Sequence, residues 1–126
     1  MPNKHENPYN ALKRIFHEPN RMAIISALCS TSNGLTFRAL KEQCDLTDGN
    51  LSRHLKVLEE AAVLKIEKKF VGAKPQTRAF LTDKGRENFV EYLQVLEEVL
   101  KKAAEAVSTS DAGSELPFDA IKTARA

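Results

Sequence analysis

Asn50, Arg53 and Lys56 recur at steps of three through a segment whose leucines, Leu51, Leu55 and Leu58, recur at steps of four and three. At about 100° per residue on a helix, Gly49, Arg53 and Lys56 fall opposite those leucines, with Asn50 and Ser52 flanking them. Such a helix buries one side and presents polar and basic groups on the other. An arginine can offer a two-pronged donor fork to guanine, and an asparagine a donor and an acceptor to adenine. The chemistry on offer is therefore hydrogen bonding to base edges. Gly49 lacks a side chain near the start of this helix, where it either admits close approach of the backbone to a ligand or is simply a first-turn glycine.

A second set follows: Lys68, Lys69, Lys74, Gln76 and Arg78, a cationic ribbon suited to phosphates or to an adjacent minor groove. The formal net charge of +2 conceals this, because the chain is unevenly charged. Residues 38–78 carry nine basic and six acidic side chains, whereas residues 79–126 carry six and nine. A basic middle and an acidic end are expected if the middle meets phosphates and the end has another task.

Other chemistries lack their residues. There is no glycine-rich phosphate loop, no nucleophile motif, and no carboxylate pair brought together with a histidine, so no catalytic residue and no cofactor are expected. Glu87, Glu91, Glu97, Glu98 and Glu105 read as the solvated face of a helix. The cysteines, Cys29 and Cys44, stand apart without a CxxC pair or a Cys/His cluster. They are expected to be structural thiols and not metal ligands. The first residues, MPNKHENPYN, lack the apolar region of a signal peptide, and no stretch reaches the roughly 18 apolar residues of a membrane span. A soluble cytoplasmic protein with no membrane partner is expected.

The elements that must position these residues follow from periodicity. Tyr9, Leu12, Ile15 and Phe16 define a first helix, and Pro19 opens a second that carries Met22, Ile24, Ile25, Leu28 and Cys29. Thr36 is an N-cap for a third, with Phe37, Leu40 and Cys44 on one face. After a turn at Asp45 and Leu46, Thr47 caps the helix of Asn50 and Arg53, whose inward stripe extends to Ala62. Beyond Leu64 the period becomes two, and the five-residue break GAKPQ separates two strands of a hairpin. Thr82 caps a last helix running to about Val107, where Phe89, Leu93, Leu96, Leu100, Ala103 and Val107 step by four and three in a heptad-like seam. Tyr92, Val95 and Val99 widen the seam beyond what one small domain needs to cover.

This order is that of a winged helix-turn-helix with an added C-terminal helix. Residues 35–89, and above all GNLSRHLKVLEEA and TRAFLTDKGRE, resemble the short winged-helix transcriptional regulators related to the MarR and ArsR families. The resemblance implies DNA binding through Thr47, Gly49, Asn50, Ser52, Arg53 and Lys56, and through the wing. His54 has a similar place in these families, which suggests packing or a phosphate contact. Two departures stand out. Those families commonly carry further basic residues at the wing tip, where this chain has Ala73, and a glycine at the left-handed end of the recognition helix, where it has Ala62. Some ArsR relatives bind metal through closely spaced cysteines, whereas EQCDL holds Cys44 alone.

The expectation is thus a mainly α fold with a small β-hairpin wing. Residues 1–82 would form the DNA-binding domain, 83–107 a dimerisation helix, and 108–126 a linker-like tail able to dock. A homodimer would be joined through Phe89, Tyr92, Leu93, Leu96, Leu100 and Ala103, with help from the first helix. Its two recognition helices would enter successive major grooves of double-stranded DNA, and a small-molecule effector, not identified by any residue, could alter their spacing. The competing expectation is a winged-helix protein-interaction module without DNA binding, for which a neutral or acidic recognition surface would be the sign.

Overall fold

A computed structural model describes residues 8–110. Helix α1, Pro8–Phe16, is followed after two residues by α2, Pro19–Cys29, with Pro19 in its first turn. The corner between them is held by local hydrogen bonds. The Glu18 carboxylate caps α2 by accepting from the Arg21 N–H (2.8 Å), and Arg21 Nε donates to the Ile15 carbonyl (2.7 Å). Strand β1, Leu35–Thr36, leads into α3, Phe37–Cys44, where the Thr36 hydroxyl accepts from the Ala39 N–H (3.1 Å). Helix α3 ends at Asp45, left-handed at φ 53, a conformation that aspartate tolerates better than most residues.

Helix α4, Asp48–Glu60, is capped as expected by Thr47, whose hydroxyl accepts from the Asn50 N–H (3.2 Å). At its far end the Ala62 N–H reaches the Glu59 carbonyl and the Val63 N–H the Leu58 carbonyl, the pattern of a Schellman cap. Ala62 has φ 61 there, in the region that favours glycine. It lies past the helix and is exposed, so the inward stripe of α4 is completed by Leu51, His54, Leu55 and Leu58 without it.

Strands β2, Leu64–Val71, and β3, Lys74–Leu81, pair antiparallel from Leu64↔Leu81 to Val71↔Lys74. The hairpin turn is therefore the two residues Gly72 and Ala73, and the expected five-residue break contracts. Gly72, at φ 65, supplies the positive φ that the favoured two-residue turns require. Pro75 is accommodated inside a strand because β1 pairs only with Arg78 and Ala79, which leaves no strand among the described residues on the outer side of β3 at that position. The sheet order is β1-β3-β2.

Helix α5, Asp83–Ser110, begins at a crowded junction. Thr82 Oγ1 accepts from the Gly85 N–H (2.9 Å) and donates to the Ala62 carbonyl (2.7 Å), while the Thr82 N–H donates to the Val63 carbonyl (3.0 Å). A Cβ on Gly85 would sit 2.3 Å from that Val63 oxygen, so the first turn of α5 approaches the backbone between α4 and β2 as only glycine can.

The chain divides into two compact units, one ending at Tyr92 and the other beginning at Leu93. The core of the first contains Phe16, Ile24, Ile25, Leu28, Leu40, Leu51, Leu58 and Tyr92, all fully buried. Phe16 meets Phe89 edge-on at 5.3 Å between ring centres and lies 5.6 Å from Tyr92, and the Tyr92 hydroxyl is 2.8 Å from His17 Nδ1. In the second unit the helix leaves Leu93, Val99, Leu100 and Val107 exposed. Among the described residues no helix is long and apolar enough to cross a membrane.

Candidate nucleic-acid interface

Helix α4 is pinned from beneath and at both ends, which fixes the direction of its outer face. Leu51, Leu55 and Leu58 are in the core, while Asp48, Gly49, Asn50, Ser52, Arg53 and Lys56 are exposed. A Lys41–Asp48 ion pair (2.9 Å) joins α3 to the first turn, though at this exposure it contributes little stability. Arg53 Nη2 donates to Asn50 Oδ1 (3.1 Å), so the two candidate base-reading side chains brace each other one turn apart. With Oδ1 engaged, the pair displays N–H groups outward: the Asn50 amide and the remaining guanidinium donors.

Gly49 has nothing within 4 Å of the place a Cβ would occupy, so no contact among the described residues requires a glycine there. Lys56 shares with Glu59 a groove of about 330 Å³ between α4 and the wing, lined also by Phe37, Ser52, Leu55, Ile66, Lys68 and Thr77. The positive charge of α4 thus lies at its middle, on Arg53 and Lys56, between Asp48 in the first turn and the exposed Glu59 and Glu60 at the far end.

The register of the hairpin divides the wing residues between two faces. Lys68 is paired with Thr77 on the face that lines the groove beside α4. Lys69↔Gln76 and Val71↔Lys74 belong to the opposite face, as does Glu67↔Arg78. Arg78 is half-buried and donates from Nη1 to the carbonyls of Asn33 (3.1 Å) and Gly34 (3.4 Å), tying the base of the wing to the loop before β1. Lys68, Lys69 and Lys74 are exposed.

Of the seam residues on α5, Phe89 and Tyr92 are buried inside the first unit. Leu93, Leu100 and Ala103 are exposed and Leu96 half-exposed.

His54 is the one buried polar side chain among the described residues, 5% exposed. Its Nδ1 is enclosed without a hydrogen-bond partner among the described residues, and Glu18 Oε2 stands 3.8 Å away. Burial pulls its pKa below the usual histidine value; the Glu18 charge opposes this, and Arg21 and Arg53 add to it. For Glu18, burial acts to raise the pKa, but the N–H groups of Arg21 and Asn20 and the charges of His54 and Arg21 outweigh it and hold the carboxyl low. Of the two roles the resemblance suggests, the buried position is that of a packing residue. Sequence reasoning missed its companion Glu18, because glutamate is an uncommon cap and lies 36 residues away.

Burial raises the Cys44 thiol, which keeps it protonated. Among the described residues no group of three or more His, Cys, Asp or Glu side chains could hold a metal ion.

Comparison with known proteins agrees with this geometry. A family model described as a winged helix DNA-binding domain matches residues 20–100. The chain is 36% identical over 80 residues to an uncharacterised protein of Methanocaldococcus jannaschii, covering 64% of this chain and 86% of that one. A transcriptional regulator homologue from Pyrococcus horikoshii superposes with a TM-score of 0.67 at 28% identity, covering 76% of this chain and 96% of the other. A MarR-family transcriptional regulator of Streptomyces coelicolor, solved in complex with DNA, has the same fold at a TM-score of 0.54 and 20% identity, over 87% of this chain and 85% of that one.

Proposed function

Because this chain belongs to the winged helix DNA-binding domain family, we propose that it is a transcriptional regulator that binds double-stranded DNA sequence-specifically as a homodimer. The observation that carries the proposal is the braced Asn50–Arg53 pair on the exposed side of a helix whose other side is core. A pair preset to display donors suits an acceptor-rich edge such as the N7 and O6 of guanine. Gly49 and Ser52 leave room beside it for the backbone to approach the groove. Lys56, Lys68, Lys69 and Lys74 would neutralise phosphates on either side, fixing the register of the helix without reading sequence. Neither the family nor the fold is that of an enzyme, and the solved Streptomyces neighbour is a regulator held on DNA.

Dimerisation is supported by the apolar face of α5 in the second unit, where Leu93, Leu96, Leu100 and Ala103 continue a seam at steps of three and four. Two copies would place two α4 helices in successive major grooves of a pseudo-palindromic site.

Fluorescence-anisotropy titration of wild type and Arg53→Ala against mixed duplexes, at about 50 and 200 mM salt, tests the reading. Wild type is expected to bind with steep salt dependence, and Arg53→Ala to lose about 10- to 100-fold in affinity for a preferred sequence. No salt-dependent binding by the wild type would overturn the proposal in favour of a protein-interaction module.

A further inference from the structure

Phosphate binding accounts for the lysines of the wing but not for its tip. Phe70 is 73% exposed and Val71 55%, the two most exposed large apolar residues described, and the turn that follows is Gly72–Ala73. The register sets Phe70 directly opposite Pro75. In a two-residue hairpin the pair beside the turn-closing one is the non-hydrogen-bonded kind, which brings its side chains closest together. Residues two apart share a strand face, so Phe70 and Pro75 continue the face of Ile66, Lys68 and Thr77, the residues that line the groove beside α4. The pair stands four residues, about 13 Å, beyond Ala79, where the hairpin is buried. Lys68 precedes it on the same face, and Lys69 and Lys74 flank it on the other.

A single exposed apolar residue is ordinary in a folded protein. Two stiff rings side by side at the end of a projecting ribbon, ringed by cations, have a more particular complement. The cations suit phosphates, and the rings suit an uncharged strip running between two rows of phosphates. The minor groove of DNA has that form, with sugar faces and base edges on its floor and walls, and apolar wedges inserted there part a base step and bend the duplex. Resting on the DNA-binding reading above, we propose that Phe70 and Pro75 form an apolar wedge. It enters the minor groove next to the major groove taken by α4, with Lys68, Lys69 and Lys74 on the bordering phosphates. Ala73 in place of a basic tip residue is then consistent with the tip, since the contact it serves is apolar. The wedge also favours easily unstacked pyrimidine–purine steps at the position where it lands.

The test uses the full chain and a duplex selected by it from a randomised pool, with 2-aminopurine placed at successive steps around the site. Phe70→Ala is expected to weaken binding about tenfold, the scale of one aromatic contact with a base, while the slope of log affinity against log salt stays that of wild type. The rise in 2-aminopurine fluorescence at the wing step should disappear with it, and Phe70→Trp should keep both affinity and fluorescence. Lys69→Ala should do the reverse of Phe70→Ala, flattening the slope by about 0.9 and sparing the fluorescence. Wild-type affinity in Phe70→Ala would overturn the wedge, as would a flattened slope in that variant. A change in its sedimentation without a change in DNA binding would also do so, assigning the tip to a contact between copies. If wild type enriches no duplex, the DNA reading itself fails, a result that no comparison among variants could produce.

Discussion

Helix α4 and the tip of the hairpin are both exposed surfaces, but they are held in opposite ways. Beneath α4 lie Leu51, His54, Leu55 and Leu58, and each end is fastened by backbone: Thr47 at the start, the Schellman bonds and Thr82 at the finish. Beyond Lys68 and Thr77 the hairpin has only its own ladder to hold it, and its last pairs are exposed on both faces. A surface fastened in this way keeps a fixed geometry, which discrimination between bases needs, while a projecting ribbon adapts to the curvature of its ligand. Substitutions around α4 should therefore register in stability, and substitutions at the tip in binding alone.

The largest break in that contrast is expected from Gly85→Ala. The added Cβ must push against the Val63 carbonyl, and a loss of about 2–3 kcal/mol in urea denaturation is expected, with no compensation at higher salt. Stability unchanged by this substitution would mean that the junction is looser than its geometry implies.

Next in size is a dependence on pH. The folded state lowers the pKa of His54 below the ordinary 6.5, so the unfolded chain takes up a proton more readily. Stability from this source is complete above 6.5 and declines as pH falls from there toward the folded value. The low pKa of Glu18 adds a further decline only below its ordinary 4.5. The urea midpoint of wild type should thus drop between about pH 7 and 5, and His54→Phe should flatten that drop. An equal drop in the variant would place the titrating group elsewhere.

Smaller again is Ala62→Gly, which relieves a left-handed alanine at an exposed cap and should raise stability by about 1 kcal/mol, a few degrees in Tm. An unchanged or lower Tm would count against strain at this site. Last comes Lys74→Ala at the tip, expected within about 0.5 kcal/mol of wild-type stability because the side chain is exposed at the end of the ladder. A larger loss would show the hairpin to be part of the cooperative core, and the contrast drawn above would fall.

What could be read from the sequence follows the same division. Helices announced themselves where apolar residues recur against a capping residue, as at Thr36, Thr47 and Thr82, because spacing and cap are both local. The outward face of α4 was readable for the same reason. Strand β1 was not: two residues are too few to show a period, and its existence depends on Arg78 and Ala79 some forty positions away. The turn is shorter than the sequence suggests because Pro75 normally marks a break, and it is admissible here since no described strand pairs with β3 at that point. The spacing of the α5 seam suggests one surface, yet Phe89 and Tyr92 turn into the core because Phe16 awaits them, a fact held by a distant helix. The Asn50–Arg53 brace required side-chain coordinates, since spacing permits it without demanding it.

The two-residue turn has an evolutionary corollary. With Gly72 setting the reversal and the pairs below it setting the register, residues 70, 71, 74 and 75 can be exchanged without disturbing what lies beneath. Selection for a stable fold is nearly blind to them, while selection for whatever the wing contacts can act on each separately. Lineages descended from this chain can therefore change the wing's surface in single mutational steps, each passing through a folded intermediate, whereas on α4 only the outward positions are free in this way, because Leu51, Leu55 and Leu58 belong to the core.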